Sequence, residues 1–475
     1  MILNSERDKV AHLLRRFGLG ASEAEIDFYG KEGLSSAIDK LLDYEKVEDS
    51  FSLPITTFTN KQNGLVPMPA VQAHWILRML STRRPLQEKM TVFWHDHFAT
   101  DANKVIQPTM MYQQNGIFRD GATGSFADLL LNVSRDPAMI FWLDNELNQK
   151  GKPNENFARE VMELFTLGIG HYTEKDIQEA ARAFTGWTIQ RRGPRPTAEM
   201  PTFEPPAFRF APFQHDEGEK TVFGKTGNFG GEDIIRMLCE NPRTGQYITE
   251  KIWNWFVYED PEPATIEKFA AGFIKADLNI KFLLRSIMES KEFYSDRAAR
   301  KVVKNPVDFV IPVMRALGLG ETAAEIARTS PPEGLFARMR GVLATASQGM
   351  DSMGMKLLFP PDVSGWESGP RWITSATMVQ RIGFADRLFG QGRVQGKAVV
   401  FGLDFYRIFS RDPSPEGVAR QLVSIFDAPL PESKIKALIQ AAKTDSGGTI
   451  TPENLNQTAS KVSRLIFGCP EFQFA

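Results

Sequence analysis

Apolar positions along this chain recur mostly at three- and four-residue spacings, the mark of helices that bury one face. Ser5, followed by Glu6, Arg7 and Asp8, opens a helix whose Val10, Leu13, Leu14 and Phe17 share one side, and Gly18 stops it. On this phase His12 lies on the opposite, basic face as a surface histidine. The pairs Arg15–Arg16, Arg83–Arg84 and Arg191–Arg192 read as solvated helix ends and loops. The spacing predicts a second helix over 70–81 with His74 and Trp75, then a third whose first turn accepts Pro85. Asn154 is placed to cap ENFAREVMELFTL, which Gly168 ends. Thr173 and Asp176 form a capping-box start for DIQEAARAF, closing near Gly186.

The pattern breaks over residues 191–231. RRGPRPTAEMPTFEPP is Pro-rich, and FRFAPFQHDEGEKTVFG has the alternation of a β-hairpin with DEGE at its turn. Helices resume from 232 to the C-terminus, interrupted by FPPDVSGWESGPRW at 359–372. The fold class is therefore mostly α, multi-helical and globular, with a small hairpin insertion. Three stretches follow: an N-terminal helical domain (1–190), the insertion (191–231), and a C-terminal helical domain (232–475) packed with the first as one unit. RFGLGASEAEI (16–26) echoes RALGLGETAAEI (315–326), which reads as shared helix-stop grammar or a duplicated unit.

Composition narrows the partners. With 475 residues, 42% hydrophobic and a formal net charge of −2, nothing advertises nucleic acid or an anionic membrane. Cys239 and Cys469 fit neither a zinc spacing nor a disulfide framework. No run is long and apolar enough for a transmembrane helix. MILNSERDKVAHLLRR lacks an apolar signal core, so the expectation is a cytoplasmic protein, exported if a leader was removed.

Four constellations could carry chemistry. In FWHDHFAT (93–100), a continuous helix aims His97 along the apolar face with Met90 and Phe93, while His95 points the other way with Glu88. Both can serve one metal only if the helix ends near His95. On the 155–167 helix, Asn156, Glu160 and Glu163 form a stripe beside the core face, where helical carboxylate sites are built, and Arg159 pairs with Glu155. In QHDEGEK, His215 and Asp216 sit beside Lys220 at the expected hairpin turn, as ligand, base or turn formers. In the 360–373 loop Trp366 and Trp372 offer flat surfaces for a substrate, or pack into the core. All six histidines precede residue 216, and no GxSxG, P-loop, GxGxxG or HExxH motif occurs.

HLLRRFGLG (12–20), PLQEKMTVFWHDHFAT (85–100), the long block from DPAMIFW to FTGW (136–187), HDEGEK (215–220), NPVDFVIPVMRALG (305–318) and PPDVSGWESGPRWI (360–373) run in order along the chain. Together they resemble the bacterial family known as domain of unknown function 1800. The resemblance implies a largely helical fold. It also implies gene neighbours that resemble sulfatases, a potential protein partner, and relatives that are often exported. It supplies no reaction.

The leading expectation is a metal-dependent enzyme, a hydrolase of a polymeric or modified substrate. Zinc, manganese or iron would be held by His95, His97 and His215, with Glu160, Glu163 and Asp216 catalytic. Arg159, Asn156, Lys220, Trp366 and Trp372 would bind substrate. Two alternatives stand beside it. One is a non-enzymatic helical assembly protein that partners the sulfatase-like family; the other is a metal-free carbohydrate-active protein using Glu160 or Glu163 with the tryptophan loop.

Overall fold

The computed structural model describes all residues except 1–2, 50, 52, 61–62, 191–203, 330–334, 390–408 and 410. The Arg191–Arg192 pair and most of the Pro-rich stretch lie outside the described residues. The fold is mostly α: 62% is helical, and among the described residues the strands make two two-stranded antiparallel sheets. Capping chemistry sets the helix starts. Ser5 and Asp8 bond each other's backbone reciprocally at Glu6–Phe17, and Thr173 and Asp176 do the same at Glu174–Ala183. The Oδ1 of Asn154 accepts the Asn156 N–H at 3.0 Å, opening the helix Asn156–Met162. That helix then widens into a π-helical turn, Glu163–Leu167, where the Thr166 hydroxyl donates to the Val161 carbonyl at 2.6 Å.

The hairpin differs from the expectation. β1 (Trp187–Gln190) pairs with β2 (Ala207–Phe210), Trp187 opposite Phe210. A separate hairpin joins β3 (Lys220–Val222) to β4 (Lys225–Gly227). Its turn residues Phe223 and Gly224 both have positive φ (49° and 74°), the two left-handed positions of a tight primed turn. HDEG is thus the link between two sheets. Arg182 holds Asp216 in this link.

Two apolar cores organise the molecule. One gathers Leu13, Phe17, Phe93, Trp94, Phe157, Phe165, Trp253 and Leu284. The other gathers Trp75, Leu80, Val310, Met350, Phe384 and Phe467. Residues 51–80 thus pack with the C-terminal helices, while the helices of 232–288 pack with the N-terminal ones. Trp142 and Trp255 lie against both cores.

The helix Pro85–His97 runs between them, and every residue on it is buried except Asp96. A helix buried all round has no solvent face. Its charges are accordingly paired: Glu88 with Arg119, and Lys89 with Asp308. The same enclosure corrects two expectations about Glu6–Phe17. His12 is buried, with Nε2 at 3.0 Å from the Phe293 carbonyl, and Arg16 donates to the carbonyls of Phe256 and Trp255 at 2.9 and 2.7 Å. The polar side of that helix faces a second layer of protein.

Candidate functional site

The helix Pro85–His97 does not stop before His97. Its two histidines therefore diverge, as the helical phase requires, but each enters protein. His95 meets the rings of Trp75 and Trp366 and accepts the Leu358 N–H on Nε2 at 3.1 Å. His97 lies among Phe93, Phe98 and Phe165, and its Nε2–H donates to the Phe165 carbonyl at 3.2 Å. Burial lowers both imidazoles to about 3, so both are neutral. The His97 Nδ1 lone pair is buried and unpartnered, as is that of His12.

Between them stands Asp96, which the sequence reading passed over. Its Oδ1 accepts the Trp366 N–H at 2.8 Å. Gly365, at φ 91°, lets the 359–372 loop lie directly on it: a Cβ there would sit 2.5 Å from the Asp96 carbonyl oxygen and 2.6 Å from Oδ1. Burial pushes the Asp96 carboxyl up to about 7, opposed by the Trp366 N–H and the charge of Lys251. The carbonyl end of its helix also disfavours the anion. Gly365→Ala should cost about 2 kcal/mol or more in thermal or denaturant unfolding, through both strain and collision.

The carboxylates of the Asn156–Leu167 segment sit on the adjoining surface. Glu163 accepts the Tyr172 hydroxyl. Glu160, half-buried, makes no hydrogen bond or ion pair with any described residue; desolvation first, and the charge of Glu163 second, raise its pKa. The helix Pro242–Phe256 joins this pair to Asp96. Tyr247 donates to the Leu164 carbonyl at 3.0 Å, and Lys251 lies 5.6 Å from the Tyr247 ring. The Lys251 charge in turn acts on both Asp96 and His97. A polar strip therefore runs from Glu160 and Glu163 through Tyr172, Tyr247 and Lys251 to Asp96 and Trp366.

The other sequence-nominated residues are engaged in structure. Arg159 is held by Glu174 at 2.8 and 2.9 Å and by Glu155 at 3.4 Å. Asn156 donates to the Leu143 carbonyl at 3.2 Å. Asp216 is bound by Arg182 at 2.8 and 3.2 Å, which holds its carboxylate at about 2. Lys220 is buried and donates to the Asp216 carbonyl. His215 donates from Nδ1 to the Thr185 carbonyl at 2.8 Å, and its ring lies edge-on to Phe210. Trp366 and Trp372 are buried, as the packing alternative required. Among the described residues, no three His, Cys, Asp or Glu side chains are grouped so as to hold a metal.

The family model of a protein of unknown function, DUF1800, matches residues 12–474, nearly the whole chain. The chain belongs to this family. No curated protein and no solved structure shows a significant match. In this DUF1800 chain the signal for Asp96 was visible, since it separates the two histidines of the family-like block. Lys251 and Tyr247 carried none, because only the packing of Pro242–Phe256 on the π-helical turn brings them there. Among the described residues no helix is long and apolar enough to cross a membrane.

Proposed function

We propose that this protein is an acid–base enzyme acting on an extended, hydroxyl-rich polymer laid along the Glu160–Asp96 strip. The carrying observation is Glu160, a half-buried carboxyl without a partner, beside Glu163, whose carboxylate Tyr172 fixes. Two neighbouring carboxyls in unlike environments divide the roles: Glu160, its pKa raised by burial, serves as general acid, while Glu163, oriented by Tyr172, serves as base. Asp96 near 7 is a second proton carrier at the other end of the strip. Tyr172, Tyr247 and Lys251 supply the hydrogen bonds and ring faces that polyhydroxylated ligands use. The metal-dependent reading relied on His95, His97 and His215 acting together. The engagement of the His95 Nε2 by Leu358 supports the metal-free form instead.

The test is a screen of polysaccharides for newly released reducing ends. Glu160→Gln should lower turnover by about a hundredfold or more with little change in KM, and a chelator should leave the rate unchanged. Cleavage that survives Glu160→Gln, or that stops on chelation, sinks the proposal.

A second reading, an assembly protein that docks a partner such as the sulfatase-like one, is favoured by exposed apolar side chains. Leu147, Ile169 and Phe213 are 60, 78 and 74% exposed. Co-purification that is lost on Leu147→Ser with Phe213→Ser, together with no turnover in the screen, would select it.

A further inference from the structure

Far along the chain from the strip, the end of Glu6–Phe17 meets the start of Pro306–Ala316 around a cavity of ≈ 30 Å³, lined by Arg15, Ser22, Lys304, Asp427 and Phe472. A single water needs about 10–15 Å³ of such room, so the space suits one compact ion and no extended ligand. The charges around it do not balance. Asp427 is the carboxylate for two guanidiniums, taking Arg15 at 3.0 and 3.2 Å and Arg300 at 2.9 Å. Asp308, also on the wall, is already matched by Lys89.

Lys304 is buried, and its ammonium forms no hydrogen bond or ion pair with any described residue. Its nearest support is the Phe472 ring, 3.7 Å away. Arg381, which donates to the Lys304 carbonyl at 2.7 Å, adds a further cation. The Nε of Arg15 and the Nη1 of Arg300 are buried and unpartnered as well. The charges of Arg300, Arg15 and Arg381 thus all bear on Lys304, opposed by the side-chain carboxylate of Asp427, which the two guanidiniums of Arg15 and Arg300 already share.

We propose that this cavity binds a small tetrahedral oxyanion, of the sulfate or phosphate class, held by Lys304 and Arg15. The ion supplies the acceptors that Lys304 lacks and offsets the surplus positive charge. A buried ammonium without an acceptor relieves its cost either by losing a proton or by gaining an anion. Burial first, and the Arg300 charge second, bring Lys304 down to about 7. Binding therefore takes up a proton above that pH. Burial lowers Arg300 and Arg381 only to about 10, so both stay charged between pH 6 and 8, and among the groups around the cavity (Arg15, Arg300, Arg381, Asp308 and Asp427) Lys304 sets the pH dependence.

Isothermal titration with sulfate, whose charge is constant over this range, tests the site at pH 6 and pH 8 with chloride matching the ionic strength. One saturable site is expected, about tenfold weaker at pH 8. Lys304→Met should abolish it while raising the melting temperature in the absence of sulfate, which shows that the variant is folded. Lys304→Arg should keep the binding and flatten its pH dependence. Absence of saturable heat at either pH, binding unchanged in Lys304→Met, or acetate binding more tightly than sulfate would each overturn the proposal. Because these readouts involve no turnover, they stand or fall independently of the polymer-acting site.

Discussion

Asp96→Asn raises the stability of the protein at pH 8 and leaves it nearly unchanged at pH 4. The carboxyl titrates near 7 in the fold against 3.8 in a solvated chain. A raised folded value means that the native state holds the proton more tightly. The group's contribution is therefore complete below 3.8, declines as pH rises, and is lost once pH passes 7. Asparagine mimics the neutral form at every pH. The full shift would correspond to about 4 kcal/mol at 1.36 kcal/mol per pH unit. Asp96 is partly open to solvent, so about 2 kcal/mol is the expected gain. Urea unfolding at the two pH values checks it; equal midpoints at pH 8 would show that Asp96 is ordinarily solvated. A side chain whose replacement would stabilise the fold at neutral pH fits the proton-carrying role proposed for Asp96.

The largest loss is expected at Glu88. It is fully buried, and its two oxygens take Arg119 at 2.5 and 3.1 Å and the Trp75 indole N–H at 3.0 Å. Glu88→Ala leaves the Arg119 guanidinium buried without its carboxylate, with only Asn115 as an acceptor, and leaves the indole donor without its partner. About 3–5 kcal/mol should be lost. The double variant Glu88→Met with Arg119→Met should recover much of that, because removing both charges also removes their desolvation cost. Chemical denaturation of the three variants separates the two contributions. A Glu88→Ala protein within 1 kcal/mol of the parent would mean that water reaches this part of the helix.

Local grammar was legible: Ser5 with Asp8, Thr173 with Asp176, and Pro85 at its first turn all act where the sequence places them. The divergence of His95 and His97 followed from helical phase alone. What periodicity could not supply was the second layer. His12 and Arg16 sit on a polar face that reads as solvated, yet Phe293 and the Trp255–Phe256 carbonyls, roughly 240–280 residues away, cover it. The fate of Glu160 and Arg159 was equally undetermined. Both lie one turn from candidate partners, and only the position of Glu174 decided that Arg159 would be engaged and Glu160 left open. Asp96 stood in view between the two histidines, but its enclosure under Gly365 and the Trp366 N–H depends on a loop some 270 residues away.

The shared second core has a consequence for how the chain is made. Residues 66–80 find their apolar partners among Val310, Phe384 and residues near 467–472. Those partners are synthesised about 230 to 400 residues later, the last of them near the end of the chain. At elongation rates of about 5–20 residues per second, the early segment waits roughly 20–80 s after leaving the ribosome before its core can close fully. The helices of the other core can assemble sooner, once Met288 has emerged. A nascent chain of this protein should therefore pass through a long-lived state with one core formed and Trp75, Leu77 and Leu80 uncovered. During that interval the uncovered apolar surface makes the nascent chain prone to aggregation.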